Sequence, residues 1–132
     1  MVSVLAGAVP ASAMTDYKWK YRPRVVFADN EALAPLAEQR RMVSDGRSRL
    51  AERNVVVIWV VGDKVSAEFG PHPGASAKAL RARFGTSTSP FRAVLVGKDG
   101  GTKLNSASPL SASALYATID AMPMRQNEMR RR

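Results

Sequence analysis

The chain has 132 residues, 45% of them hydrophobic and 23% charged, and it contains no cysteine. Such a composition describes one domain with a single core. It does not fit a disordered chain, and no apolar run approaches the roughly 20 residues a membrane helix needs. Disulfide exchange and peroxidatic chemistry are excluded because both require a thiolate. The 20 Lys+Arg outnumber the 11 Asp+Glu for a net charge of +9, which favours anionic partners in general and names none of them.

The chain opens on small apolar residues, Val2 to Val9, followed by Ala11-Ser12-Ala13. Small-x-small is the form signal peptidase reads. The expected organisation is therefore a signal-peptide remnant over 1–13, a domain over 14–125 and a basic tail over 126–132. The mature protein would start near Met14 and be periplasmic or secreted. An Ala-rich N-terminus without a targeting role is the alternative.

Arg24 to Ala28 reads as a short strand between Pro23 and Asp29-Asn30. Leu33, Leu36, Val43 and Leu50 then fall on or near one helical face, with Asp29 or Asn30 as the expected N-cap and Glu31 suited to the helix dipole. Asp45-Gly46 is a point where this helix kinks or splits. Val55 to Val61 is apolar at every position, as in a strand covered on both faces of a parallel sheet. Together these make a right-handed βαβ unit.

Gly62 to Gly74 reads as a loop. Ser76 is placed to cap a helix over Ala77 to Phe84 that stops at Gly85. Phe91 to Gly97 is the next strand, Asp99-Gly100-Gly101 supplies hairpin chemistry and Thr102 to Asn105 is the return strand. Ser111 caps a last helix, Ala112 to Met122, and Pro123 ends or restarts it. The expected fold is α/β and thioredoxin-like, β-α-β-α-β-β-α. It has a central mixed sheet with helices on both faces and the first and third strands central.

In that fold the active centre follows the first strand, where this chain has Asp29, Asn30, Glu31 and Ala32. The place reads as a helix cap, so no catalytic residue is assigned. Pro90 precedes the strand that in such folds begins at a cis-proline, and the isomer of Ser89–Pro90 is left open. Asp29, Asn30, Pro90 and Arg92 form the expected binding surface beside it. His72, the sole histidine, has no partners for a triad or a zinc site, and no metal or cofactor is assigned. Tyr17, Trp19 and Tyr21 interleave with Lys18, Lys20 and Arg22. That alternation fits an edge strand better than a stacking nucleic-acid site.

Two stretches carry a more specific likeness: Phe91 through Gly97-Lys98-Asp99-Gly100-Gly101 to Lys103, and Ile119-Asp120-Ala121-Met122-Pro123-Met124-Arg125. They resemble an uncharacterised thioredoxin-like, peroxiredoxin-related domain family. That family occurs in exported bacterial proteins and as repeats in an animal extracellular-matrix protein with coiled-coil segments. The long helix ending in Glu52-Arg53-Asn54 fits the same family, and the likeness runs from about Tyr17 to Glu128. It implies a sandwich without an established activity and transfers no catalytic set. Arg92 sits roughly where peroxiredoxins keep an arginine beside their cysteine. The matched residues have structural reasons: Gly100 and Gly101 permit a turn, Pro123 preorganises one, and Met122 and Met124 pack adaptably.

The expected function is a non-catalytic, exported domain that binds a protein or an anionic macromolecule. A cysteine-independent oxidoreductase-like enzyme is the alternative. Nucleic-acid binding ranks below both, and the oligomeric state is left open.

Overall fold

A computed structural model describes residues 16–131. The signal-like segment 1–13, the expected mature start at Met14 and the terminal Arg132 lie outside the described residues. The elements are β1 (Arg22–Ala28), α1 (Ala34–Asp45), α2 (Arg47–Glu52), β2 (Val55–Val61), β3 (Lys64–Glu68), α3 (Ala77–Phe84), β4 (Phe91–Val96), β5 (Thr102–Ser106), α4 (Ala112–Asp120) and α5 (Pro123–Arg130). Among the described residues no helix is long and apolar enough to cross a membrane.

The five strands form one mixed sheet in the order β3-β2-β1-β4-β5. β1 and β2 run parallel, and the other pairs are antiparallel. This strand order fits a thioredoxin-like α/β fold, with β1 at the centre and β4 beside it. All seven residues of β2 are buried, as a run with no polar alternation requires. Val55, Val57 and Trp59 face a core made with Leu36 and Val43 of α1, Leu50 of α2 and Leu115 and Ile119 of α4. Val56, Ile58 and Val60 face the opposite core with Tyr17 and Leu80 of α3. Helices therefore cover both faces of the sheet.

Ser76 and Ser111 cap α3 and α4 by accepting from the Ala79 and Ala114 amides. Gly85 ends α3 in the left-handed conformation. Pro123 opens a new helix, so residues 126–130 of the segment composed like a basic tail are helical.

Three expectations need correction. Residues 62–74 contain a strand, β3, joined to β2 by a two-residue Gly62-Asp63 turn with Val61 paired to Lys64. Its Lys64, Ser66 and Glu68 are weak strand formers, and the alternation that half-buries Val65 and Ala67 is easily read as loop. The helix after β1 starts at Ala34, not at Asp29-Asn30. Leu33 is its N-cap and Pro35 occupies its first turn, where a missing N–H costs nothing. Asn30 instead closes a local turn by accepting from the Ala32 amide at 2.9 Å. Residues 16–20 form turns and not an edge strand, so Tyr17 is buried while Trp19 is 58% exposed. The Ser89–Pro90 bond, whose isomer the sequence leaves open, is trans, as are all the described peptide bonds.

The split at Asp45-Gly46 occurs as expected, and a close contact explains why glycine stands there. A Cβ at Gly46 would lie 2.6 Å from the Tyr116 hydroxyl, and the Tyr116 ring is held by the Arg53 guanidinium 4.4 Å from its centroid. Gly→Ala near a helix normally stabilises by roughly 0.5–1 kcal/mol. Here Gly46→Ala is expected to reverse that sign and cost about 1 kcal/mol by overpacking, measured as a lower urea midpoint with an unchanged slope.

Candidate functional site

The residues singled out by the sequence separate onto opposite ends of the sheet. At one end β1 and β2 finish and β4 begins. Here the Asp29 amide donates to the Pro90 carbonyl at 3.0 Å, and Arg92, opposite Phe27 in register, reaches the Ser89 hydroxyl at 3.2 Å. Arg81 of α3 donates to the carbonyls of Gly62 at 2.5 Å and Ala28 at 3.0 Å, tying the finishing ends of β1 and β2. Asp29, Asn30 and Pro90 are exposed and Arg92 is half-buried. Asp29, Pro90 and Arg92 are thus brought together, with the Asp29 amide, Asn30 Oδ1 and the Arg92 guanidinium engaged in local bonds.

The other end, where β1 and β2 begin and β4 finishes, holds a partly buried network of charge. Arg22 opens β1 facing inward, and its two Nη atoms meet the Glu128 carboxylate at 3.2 Å each. Lys98, just past β4, donates to the same carboxylate at 2.7 Å and to Asn54 Oδ1 at 2.9 Å. Arg125, 2% exposed, grips Asp120 at 3.1 Å and Glu52 at 3.2 Å. Arg53 adds a two-pronged bond to Asp120 at 3.0 and 2.9 Å. Four cations thus converge on three carboxylates drawn from the ends of α2 and α4, from α5 and from the strand termini.

Protonation in the network follows from those bonds. The Arg53 hydrogen bond dominates in holding the Asp120 carboxyl below its usual range, against an opposing cost of burial. Asp120 in return raises Arg53. Burial pushes Glu128 upward, but the bonds from Lys98 and Arg22 outweigh it and the net direction is down. Asp120 and Glu128 carry charge at neutral pH, and the arrangement joins strand starts to the last helix pair.

Of the motif residues, Lys98, Asp120 and Arg125 belong to this network. Asp99 instead turns back onto the Gly101 amide at 2.9 Å and Lys103 at 3.0 Å, and the Gly101 bond leads in lowering its pKa. Gly100 takes φ +87°, the turn conformation that favours glycine. Met122 packs against the core, and Pro123 and Met124 line a groove with Trp19.

A family model described as "Domain of unknown function (DUF4174)" matches residues 13–128. The chain belongs to that family. The matched stretch contains every member of the charge network and ends on Glu128 itself. No solved structure matches the chain.

Sequence reasoning passed over Arg22, Arg53, Asn54 and Glu128 as individual contributors and treated Trp19 as part of an alternation. A usable signal was present for the network. Asp120, Arg125 and Glu128 at spacings of five and three residues put opposite charges at the junction of two helices. For Trp19 no local signal existed, because its exposure follows from a backbone at φ +70°. A bulky residue there costs about 1–3 kcal/mol, a cost the surrounding structure must carry.

Proposed function

We propose that this chain is a non-catalytic, exported domain, related to thioredoxin-like and peroxiredoxin-like proteins, that binds a macromolecular partner. The observation that carries the reading is the state of the end after β1, where thioredoxin-like enzymes hold their reactive group. There Asn30 Oδ1 closes on the Ala32 amide, and the Asp29 amide donates to the Pro90 carbonyl. The net charge of +9 supports an acidic partner, and the small-x-small stretch ending at Ala13 supports export.

The test has two arms. Immobilised full chain, washed at physiological salt, is expected to retain a specific protein from an extracellular or periplasmic extract. Excess soluble chain should release that protein, and a control protein of equal charge should not retain it. Retention that the charge-matched control reproduces would sink the proposal. So would reduction of insulin or hydroperoxide by the purified chain above blank. N-terminal sequencing of the protein from its native host is expected to begin near Met14.

A further inference from the structure

We infer that the groove beside Trp19 binds an extended acidic peptide segment of a partner protein, with an apolar side chain seated against Trp19. The inference rests on the binding reading above and gives it a place and a chemistry. The groove encloses about 220 Å³. Its floor is apolar, made by Trp19, Gly97, Met122, Pro123 and Met124. It continues past Trp19 along Met124 towards Asn127 and Arg131.

Trp19 is 58% exposed, whereas Trp59 is 3% exposed. Its backbone lies in the left-handed region, and its N–H donates a hydrogen bond to the Lys98 carbonyl at 2.6 Å. The turn thus keeps a large aromatic ring at the surface in a conformation such residues avoid. Exposed aromatic anchors of this kind dominate the energetics of binding surfaces. Met122 and Met124 have the flexible, polarizable side chains that accommodate varied apolar partners.

The charge around the groove is complementary to acid. Glu128 is closed on Arg22 and Lys98, and Asp99 on Lys103. Lys18, with its Nζ 5.4 Å from the Trp19 ring centroid, and Arg131 meet no carboxylate among the described residues. Lys18 beside Trp19 and Arg131 at the far end of the groove therefore add positive charge that no carboxylate of the described residues neutralises. A polysaccharide needs uncommitted hydrogen-bonding side chains, and a nucleic acid needs several stacking faces along a run of free cations. An acidic peptide with one apolar anchor needs what this groove offers.

The probe is a short capped peptide of Glu and Asp carrying a central Leu and Phe, titrated into the full chain. Because Trp59 is buried, a saturable blue shift of tryptophan emission reports Trp19. Trp19→Asn is expected to weaken binding by at least about tenfold while leaving the melting temperature unchanged or raised, since Asn accepts the left-handed backbone. Lys18→Ser and Arg131→Ser are expected to weaken it by smaller factors and to flatten its salt dependence.

Unchanged affinity in folded Trp19→Asn would overturn the inference. So would equal binding of the peptide with Ser at both apolar positions, of heparin, or of a single-stranded oligonucleotide. Self-association through the groove that the peptide cannot displace would overturn it too. A partner captured equally by wild type and Trp19→Asn would leave the binding reading standing and remove only the groove.

Discussion

Glu128→Gln is expected to lower the stability of the chain by about 3–5 kcal/mol. The carboxylate faces Arg22 and Lys98, whose side chains are 0% and 9% exposed. After the substitution Arg22 keeps the Arg53 carbonyl and Lys98 keeps Asn54 Oδ1, both neutral acceptors. Two desolvated cations are then left without a counter-charge, and that orphaning produces the loss. An ordinary surface ion pair would be worth under about 1 kcal/mol, so urea unfolding separates the two descriptions. A loss below that level refutes the buried network. Combining Glu128→Gln with Arg22→Met is expected to cost less than the sum of the single changes.

The same network sets the response to acid. Glu128 and Asp120 have folded pKa values below their ordinary 4.5 and 3.8. A carboxylate lowered on folding contributes stability that is fully present above its ordinary value and is lost as pH falls through the folded one. Loss of stability from these groups therefore sets in below about pH 4.5. The wild-type pH profile is expected to be steeper there than that of Glu128→Gln.

Arg24→Met is expected to act in the opposite direction, raising stability by about 2 kcal/mol. Arg24 is 2% exposed. Its Nη2 donates to the Leu110 carbonyl at 2.9 Å, but its Nε finds no acceptor and no carboxylate meets it among the described residues. Burial draws the guanidinium down to about 10, against a small opposing influence of Tyr116. A depression of more than two decades corresponds to roughly 3 kcal/mol, from which about 1 kcal/mol is subtracted for the hydrogen bond that Met cannot make. The Leu110 carbonyl is not left bare, because Gln39 Nε2 donates to it at 3.2 Å. Since both folded and unfolded arginine are protonated at neutral pH, the advantage of the variant is constant there. It narrows above about pH 10, where the folded wild type releases its proton first. A variant that melts below wild type at pH 7 would show that Arg24 has a partner in solution.

Much of the fold is legible in local patterns. Val55 to Val61 announces a strand buried on both faces, and all its residues are buried. Ser76, Gly85 and Ser111 mark helix ends that fall where the capping bonds place them. Legibility fails where local signals compete. Asn30 and Pro35 both carry helix-start signals within six positions, and Pro35 prevails because Asn30 satisfies itself in a turn. β3 is missed because Val65 and Ala67 give too little hydrophobic contrast to mark a strand by themselves. Tyr17, Trp19 and Tyr21 alternate like a strand, yet the left-handed backbone at Trp19 turns the chain and separates their environments.

Sequence alone determined the order of the principal elements, the absence of a thiol and the basic balance, because capping, periodicity and composition are properties of neighbouring residues. The tertiary structure decided which charges are buried and with whom they pair. Arg22 and Glu128 are 106 positions apart, and no local rule relates them. Only the packing of α5 across the starts of β1 and β2 brings Glu128 onto the buried Arg22 and makes their pairing a condition of stability. The same packing leaves Trp19 outside, beside a groove.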